Sequence, residues 1–244
     1  MVSGKYRIFD LFGIPVYIDI TFAIILFMFL QDGRSFSLGL AQALVLAISI
    51  VAHEFGHALT GRAFGCETRD ITLSFIGGCA SMMSMPRKGF QEFLVAAAGP
   101  AVSFALAGIG WAVLAFAPPA NDFLWFTFAI LKWMNLVLGC FNLMPGFPMD
   151  GGRIFRSVML LFMSRAKATL VAMWVGRVFA VLLALSGVYE IFHGGSWAFL
   201  RIFIAIMIWR DGYREYQLAL MESSWRYGDF RAKVSPPPYE RDDD

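Results

Sequence analysis

The sequence predicts an all-α polytopic membrane protein: six transmembrane helices with a small membrane-associated β-region. Composition is the first reason. Hydrophobic residues make up 58% of the 244-residue chain and charged residues only 16%, against about a quarter charged in soluble domains. The second is patterning: the apolar residues fall in long runs parted by short polar turns, and a helix of about 20 such residues crosses the hydrocarbon. The third is that histidine, glutamate and aspartate stand at motif spacing in or beside two of those runs, where ionisable groups are costly and functional by default. The formal net charge of +2 marks no nucleic-acid partner, and none is expected. Cys66, Cys79 and Cys140, odd in number and without metal-site spacing, read as small apolar filler rather than a disulfide framework.

Lys5–Asp19 alternates loosely around Gly13-Ile14-Pro15, which suggests a short strand or an interfacial segment. No small-residue cleavage site follows the apolar run after it, so the segment reads as a retained anchor. Ile20–Leu30 is the core of a first span, Gln31–Ser37 a polar turn and Leu38–Phe64 the second span. Gly65–Lys88 is not a span. Its β-type residues at Thr68–Phe75, then Gly77-Gly78 and Cys79–Met85, fit a small hairpin, with a plain loop as the alternative. A free strand edge is not tolerated in lipid, so the hairpin should lie against protein or a watery cavity, where it could accept an extended peptide.

Phe90–Phe116 is the third span, with Gly99-Pro100 inside it allowing close helix approach or a kink. After the turn at Pro118–Asp122, Phe123–Asn142 is the fourth span, Ala166–Phe192 the fifth and Ser196–Trp209 the core of the sixth. Residues 1–220 thus form the core, with its β-region at about 65–88, and residues 221–244 a polar tail expected to be disordered. Lysines and arginines gather at Lys5 and Arg7, Arg62–Lys88, Arg153–Lys167 and beyond Arg210. By the positive-inside rule both termini are cytoplasmic in a cell membrane.

Within the second span stands His53-Glu54-Phe55-Gly56-His57. Histidines four apart lie one turn apart on the same helix face, so both imidazoles can reach one ion, with the carboxylate between them available as a base. One zinc ion is the implied cofactor. The motif lies seven residues before Phe64, roughly 10 Å inside the cytoplasmic end of its helix. A catalytic zinc takes three protein ligands. His193 falls at the opposite end of the fifth span, leaving Asp150 as the better candidate, in Asn142-Leu-Met-Pro-Gly-Phe-Pro-Met-Asp150-Gly-Gly. The prolines and glycines there break the helix and free the backbone to turn a carboxylate inward. An Asp that merely caps the next helix is the alternative.

Those two motifs, with Phe75-Ile76-Gly77-Gly78, Ala80-Ser-Met-Met, and Ala98-Gly99-Pro100 with Ser103, resemble the site-2 protease family of intramembrane metalloproteases over nearly the whole chain. The resemblance implies that His53, His57 and Asp150 are the zinc ligands and Glu54 the catalytic base. It also implies that Asn142 helps hold substrate or the oxyanion. The expected activity is hydrolysis of peptide bonds in or near the transmembrane segment of single-span proteins, toward the cytoplasmic side. The partners are then a transmembrane-helix substrate and the lipid bilayer. A zinc transporter or a non-catalytic binding protein is the rival reading. Lys132 and Arg177, also inside spans, are expected to snorkel, pair or line a water route.

Overall fold

The computed structural model describes residues 4–30, 35–74, 77–82, 86, 88–194 and 198–234. The expected hairpin's ends at Phe75-Ile76 and Met83–Met85, most of the turn after the first span, Ser196 and the Pro-rich tail lie outside them. The chain opens with a hairpin of β1 (Lys5–Leu11) and β2 (Ile14–Asp19). Its two-residue turn, Phe12-Gly13, has φ +52° and +74°, the left-handed pair that matches the twist of antiparallel strands. Then come α1 (Phe22–Leu30), α2 (Phe36–Ala63), β3 (Thr68–Ser74), β4 (Gly77–Met82), α3 (Gly89–Phe116) and α4 (Asp122–Asn142). α5 (Asp150–Met159), α6 (Arg165–Phe192) and α7 (Ala198–Val234) complete it.

The two strand regions join into one four-stranded sheet of order β1-β2-β3-β4. The join is parallel, with Val16, Tyr17 and Ile18 opposite Ile71, Thr72 and Leu73. Pro15 lies just outside that pairing and opposite Asp10, so its missing N–H costs the β2–β3 ladder nothing. A polar network around the buried Asp70 and Thr72 braces the sheet. Ser81 Oγ donates to Asp70 Oδ1 at 2.9 Å, Arg69 Nε to Asp70 Oδ2 at 2.7 Å and Lys5 Nζ to Thr72 Oγ1 at 3.2 Å. Burial would push the Asp70 carboxyl up, but hydrogen bonds from Arg69 and Ser81, with the Arg69 charge, hold it below the ordinary carboxylate range.

The sheet seats on α2. Ile14, Val16 and Ile71 enclose Phe55 and Ala58, and Leu73 packs with Phe22 and Ile50. Two of the motif's own residues therefore build the scaffold. Phe55 points into the sheet, while Gly56 admits α3, since a Cβ there would lie 2.8 Å from the Ala98 carbonyl oxygen. α4 packs on α3 equally closely: a Cβ at Gly110 would lie 2.8 Å from Lys132 N. Asn135 Nδ2 donates to Ser49 Oγ at 2.8 Å, tying α4 to α2 with both side chains fully buried.

By contact the chain divides into residues 1–144 with 149–154, and residues 145–148 with 155–244. In the second unit α6 and α7 pack at glycines. A Cβ at Gly187 would meet Ile202 Cγ1 at 2.9 Å, and one at Gly146 would meet Gly176 Cα at 2.7 Å. Arg156 Nη1 pairs with Glu215 at 3.1 Å and its guanidinium lies over Phe147. Arg177 lies over the rings of Trp174 and Trp209, at 4.8 and 4.5 Å, and Lys132 over Trp133.

Four helices among the described residues are long and apolar enough to cross a membrane: α2, α3, α4 and α6. The first and sixth expected spans fall on α1, with 9 residues, and on the N-terminal part of α7. Each apolar stretch is shorter than the about 20 residues a crossing helix needs. α7 continues as helix to Val234, past residue 220 where a disordered tail was expected to begin.

Candidate metal centre

His53, His57 and Asp150 meet. His53 Nε2 and His57 Nε2 stand 3.2 Å apart, and Asp150 Oδ2 lies 3.0 Å from the first and 3.1 Å from the second. All three residues are buried, at 3%, 6% and 8% exposure. Asp150 reaches them from the first turn of α5. The next residue, Gly151, rests on the carbonyls of Leu143 and Met144, where a side chain would not fit. The cap and the ligand were set out as alternatives for Asp150, yet the residue both begins a helix and closes the triad.

The far ring nitrogens fix how the imidazoles face. His57 Nδ1 lies 2.7 Å from the Val95 carbonyl oxygen. A carbonyl only accepts, so Nδ1–H donates and Nε2 of the neutral ring presents a lone pair to the triad. His53 Nδ1 lies 2.9 Å from Ser103 Oγ, a contact that turns His53 Nε2 inward as well. Two imidazole nitrogens and a carboxylate oxygen thus converge on one point, a donor set that could hold a metal ion. Ligands at about 2.0–2.1 Å in tetrahedral geometry stand about 3.3 Å apart. The observed 3.0–3.2 Å separations and the two-nitrogen, one-oxygen donor set therefore fit zinc.

α3 supplies the floor. A Cβ at Gly99 would fall 2.6 Å from His53 Nε2 and still closer to the His57 ring, so only glycine fits beneath the imidazoles. Val95, Gly99 and Ser103 recur every four residues and form one stripe of α3, facing His53 and His57 of α2. That spacing was legible. The Val95 carbonyl, being backbone, has no signature in the sequence.

Glu54 Oε2 accepts from Ala80 N of β4 at 2.9 Å, and Gly78 leaves room for the Glu54 side chain, since a Cβ there would lie 2.6 Å from Glu54 Cγ. Asn142, the last residue of α4, donates its Nδ2 to Leu138 O at 3.0 Å. Among the described residues no hydrogen bond joins it to the triad. His193 is exposed and stacked on Tyr189. Cys66 is buried and Cys140 exposed, and both are free thiols.

A helical membrane protein with a buried two-histidine, one-aspartate centre, its histidines on a spanning helix, defines a narrow class. Residues 41–121 and 119–185 match Peptidase family M50, and the chain belongs to that family. A zinc metalloprotease of Methanocaldococcus jannaschii is 32% identical over 97% of this chain and 68% of its own length. A relative from Synechocystis sp., provisionally named a zinc metalloprotease, is 35% identical over 82% of this chain. The chain spans 57% of that relative's length. The solved site-2 protease from M. jannaschii superposes with a TM-score of 0.64 at 28% identity, covering 87% of this chain and 95% of that one.

Proposed function

We propose that this chain is an intramembrane zinc endopeptidase that cuts single-span membrane proteins in or near their transmembrane segments. The observation that carries the reading is the convergence of two imidazole nitrogens and a carboxylate oxygen at 3.0–3.2 Å, with the Glu54 carboxylate on the residue after His53 in the same helix. His53, His57 and Asp150 would hold one zinc ion. When bound, the ion lowers the pKa of water toward about 7 and polarises the scissile carbonyl. Glu54 takes the proton from the attacking water and returns it to the leaving amine. Asn142 holds the substrate or its oxyanion, for which its Nδ2 must turn away from Leu138 O.

A helical substrate hides its carbonyls in i→i−4 bonds and must unwind before it can be cut. β4 ends the sheet order among the described residues, and its outer edge receives the unwound segment as an added strand, with main-chain hydrogen bonds offsetting the lost helical ones. α1 and the N-terminal part of α7 are the first and sixth spans in a cell membrane. Lysine and arginine placement supports cytoplasmic termini and an active site toward the cytoplasmic side.

The test is cleavage in reconstituted membranes. A panel of single-span proteins is incubated with the wild type and Glu54→Gln, and bound zinc is measured in both. Cleavage by the wild type alone, at equal zinc, is the expected outcome. Zinc flux across the same vesicles with no cleavage of any panel member would support a transporter instead.

A further inference from the structure

The edge of β4 is not free. Ala80 N–H points away from β3, because it donates to Glu54 Oε2 at 2.9 Å. Glu54 also lies against the face of β4 at Gly78. A Cβ at Gly78 would sit 2.6 Å from Glu54 Cγ and 2.8 Å from Glu54 Oε1. The Glu54 side chain thus runs over the face of β4 at position 78, beside Ile50, and its carboxylate takes the outward N–H of position 80. An added strand would run about 4.8 Å from β4 and place its own carbonyl oxygen about 2.9 Å from an outward N–H. That is where Glu54 Oε2 already is, and both cannot occupy it.

We infer that Glu54 is parked on the Ala80 amide in the substrate-free protein, and that an incoming substrate strand displaces it by taking over that N–H. Docking and release of the base are then one event. The displaced carboxylate leaves the β4 backbone as the scissile segment arrives beside the triad. A stray water or a chain unable to adopt an extended form leaves the base where it is. This inference rests on the strand-addition reading above and adds to it a named donor that base and substrate share. Nothing in it requires a change in the triad, whose imidazoles are held separately by Ser103 and the Val95 carbonyl.

Two measurements on the full-length, zinc-loaded chain test it. In the first, hydrogen exchange is read at the Ala80 amide in the wild type and in Glu54→Ala, each with and without a synthetic proline-free apolar peptide of about ten residues. The expected result is a protected amide in the wild type, exchange at least tenfold faster in Glu54→Ala, and protection restored in that variant by the peptide. Unchanged exchange in Glu54→Ala would overturn the parking contact, while peptide protection in the same samples would leave strand addition standing. Failure of the peptide to slow exchange in Glu54→Ala would overturn strand addition, and the inference with it.

In the second, Ala80→Pro removes the shared donor, and an edge strand tolerates proline where its N–H points outward. With zinc content equal to wild type, KM should rise severalfold while kcat stays within twofold. A tenfold fall in kcat at unchanged KM would overturn the inference, because the amide would then be holding Glu54 in its working position.

Discussion

The two halves of the candidate site are held in different ways. The ligand half is clamped between α2, α3 and the start of α5. Each imidazole has its far nitrogen engaged, at 2.7 and 2.9 Å, and Gly99 brings the α3 backbone up beneath both rings. The base half hangs on one hydrogen bond to an edge strand, with Glu54 only partly buried. Under the proposed function, rigid ligands would set the ion's position by packing, whereas the base would sit where an arriving backbone can compete for its partner. The difference matches what each half must do: ligands need pre-organisation, and a proton carrier needs to move between two positions.

The contrast can be broken from the ligand side with the largest effect. Gly99→Ala drives a methyl group into both imidazoles, so bound zinc should fall by more than a hundredfold in affinity and cleavage should vanish, read by metal titration and by the liposome assay. Glu54→Gln should leave zinc in place and lower kcat by about 10²–10⁴-fold, the range for a general base. Ser103→Ala sharpens the comparison. It removes the side-chain partner of His53 but leaves the Val95 carbonyl on His57, and zinc affinity should drop by about tenfold, the low end for an outer-shell partner.

Away from the site, Asn135→Ala should lower stability by about 1 kcal/mol through loss of its bond to Ser49, measured by unfolding in detergent. The smallest effect concerns the sheet. The Asp70 carboxyl is held below its ordinary value of about 4. Its contribution is therefore fully present above that value and is lost as pH falls through the lowered one. Acidification should destabilise the wild type slightly more than Asp70→Asn, compared by thermal midpoints at pH 7 and at pH of about 3.

Much of the ligand half was legible because it is written in side chains at helical spacing. His53 and His57 declared a shared face, and the prolines and glycines around Asp150 declared a broken helix. What local patterning could not supply was anything made by backbone or by distant pairing. The parallel register of β2 on β3 joins residues 16–18 to 71–73, and periodicity carries no record of such a partner. The donor to Glu54 is a main-chain amide on β4, invisible for the same reason. The span count diverged at α1 and α7, where apolar composition marked membrane elements but the described helices give only short apolar stretches.

The proposed chemistry requires one zinc ion held by His53, His57 and Asp150. X-ray absorption at the zinc edge of the purified wild type, beside metal content in Asp150→Ala, tests it most directly. The predicted result is one zinc per chain, surrounded only by nitrogen and oxygen with imidazole scattering, and its loss in Asp150→Ala. Sulfur in the first coordination shell, or undiminished zinc in Asp150→Ala, would contradict it.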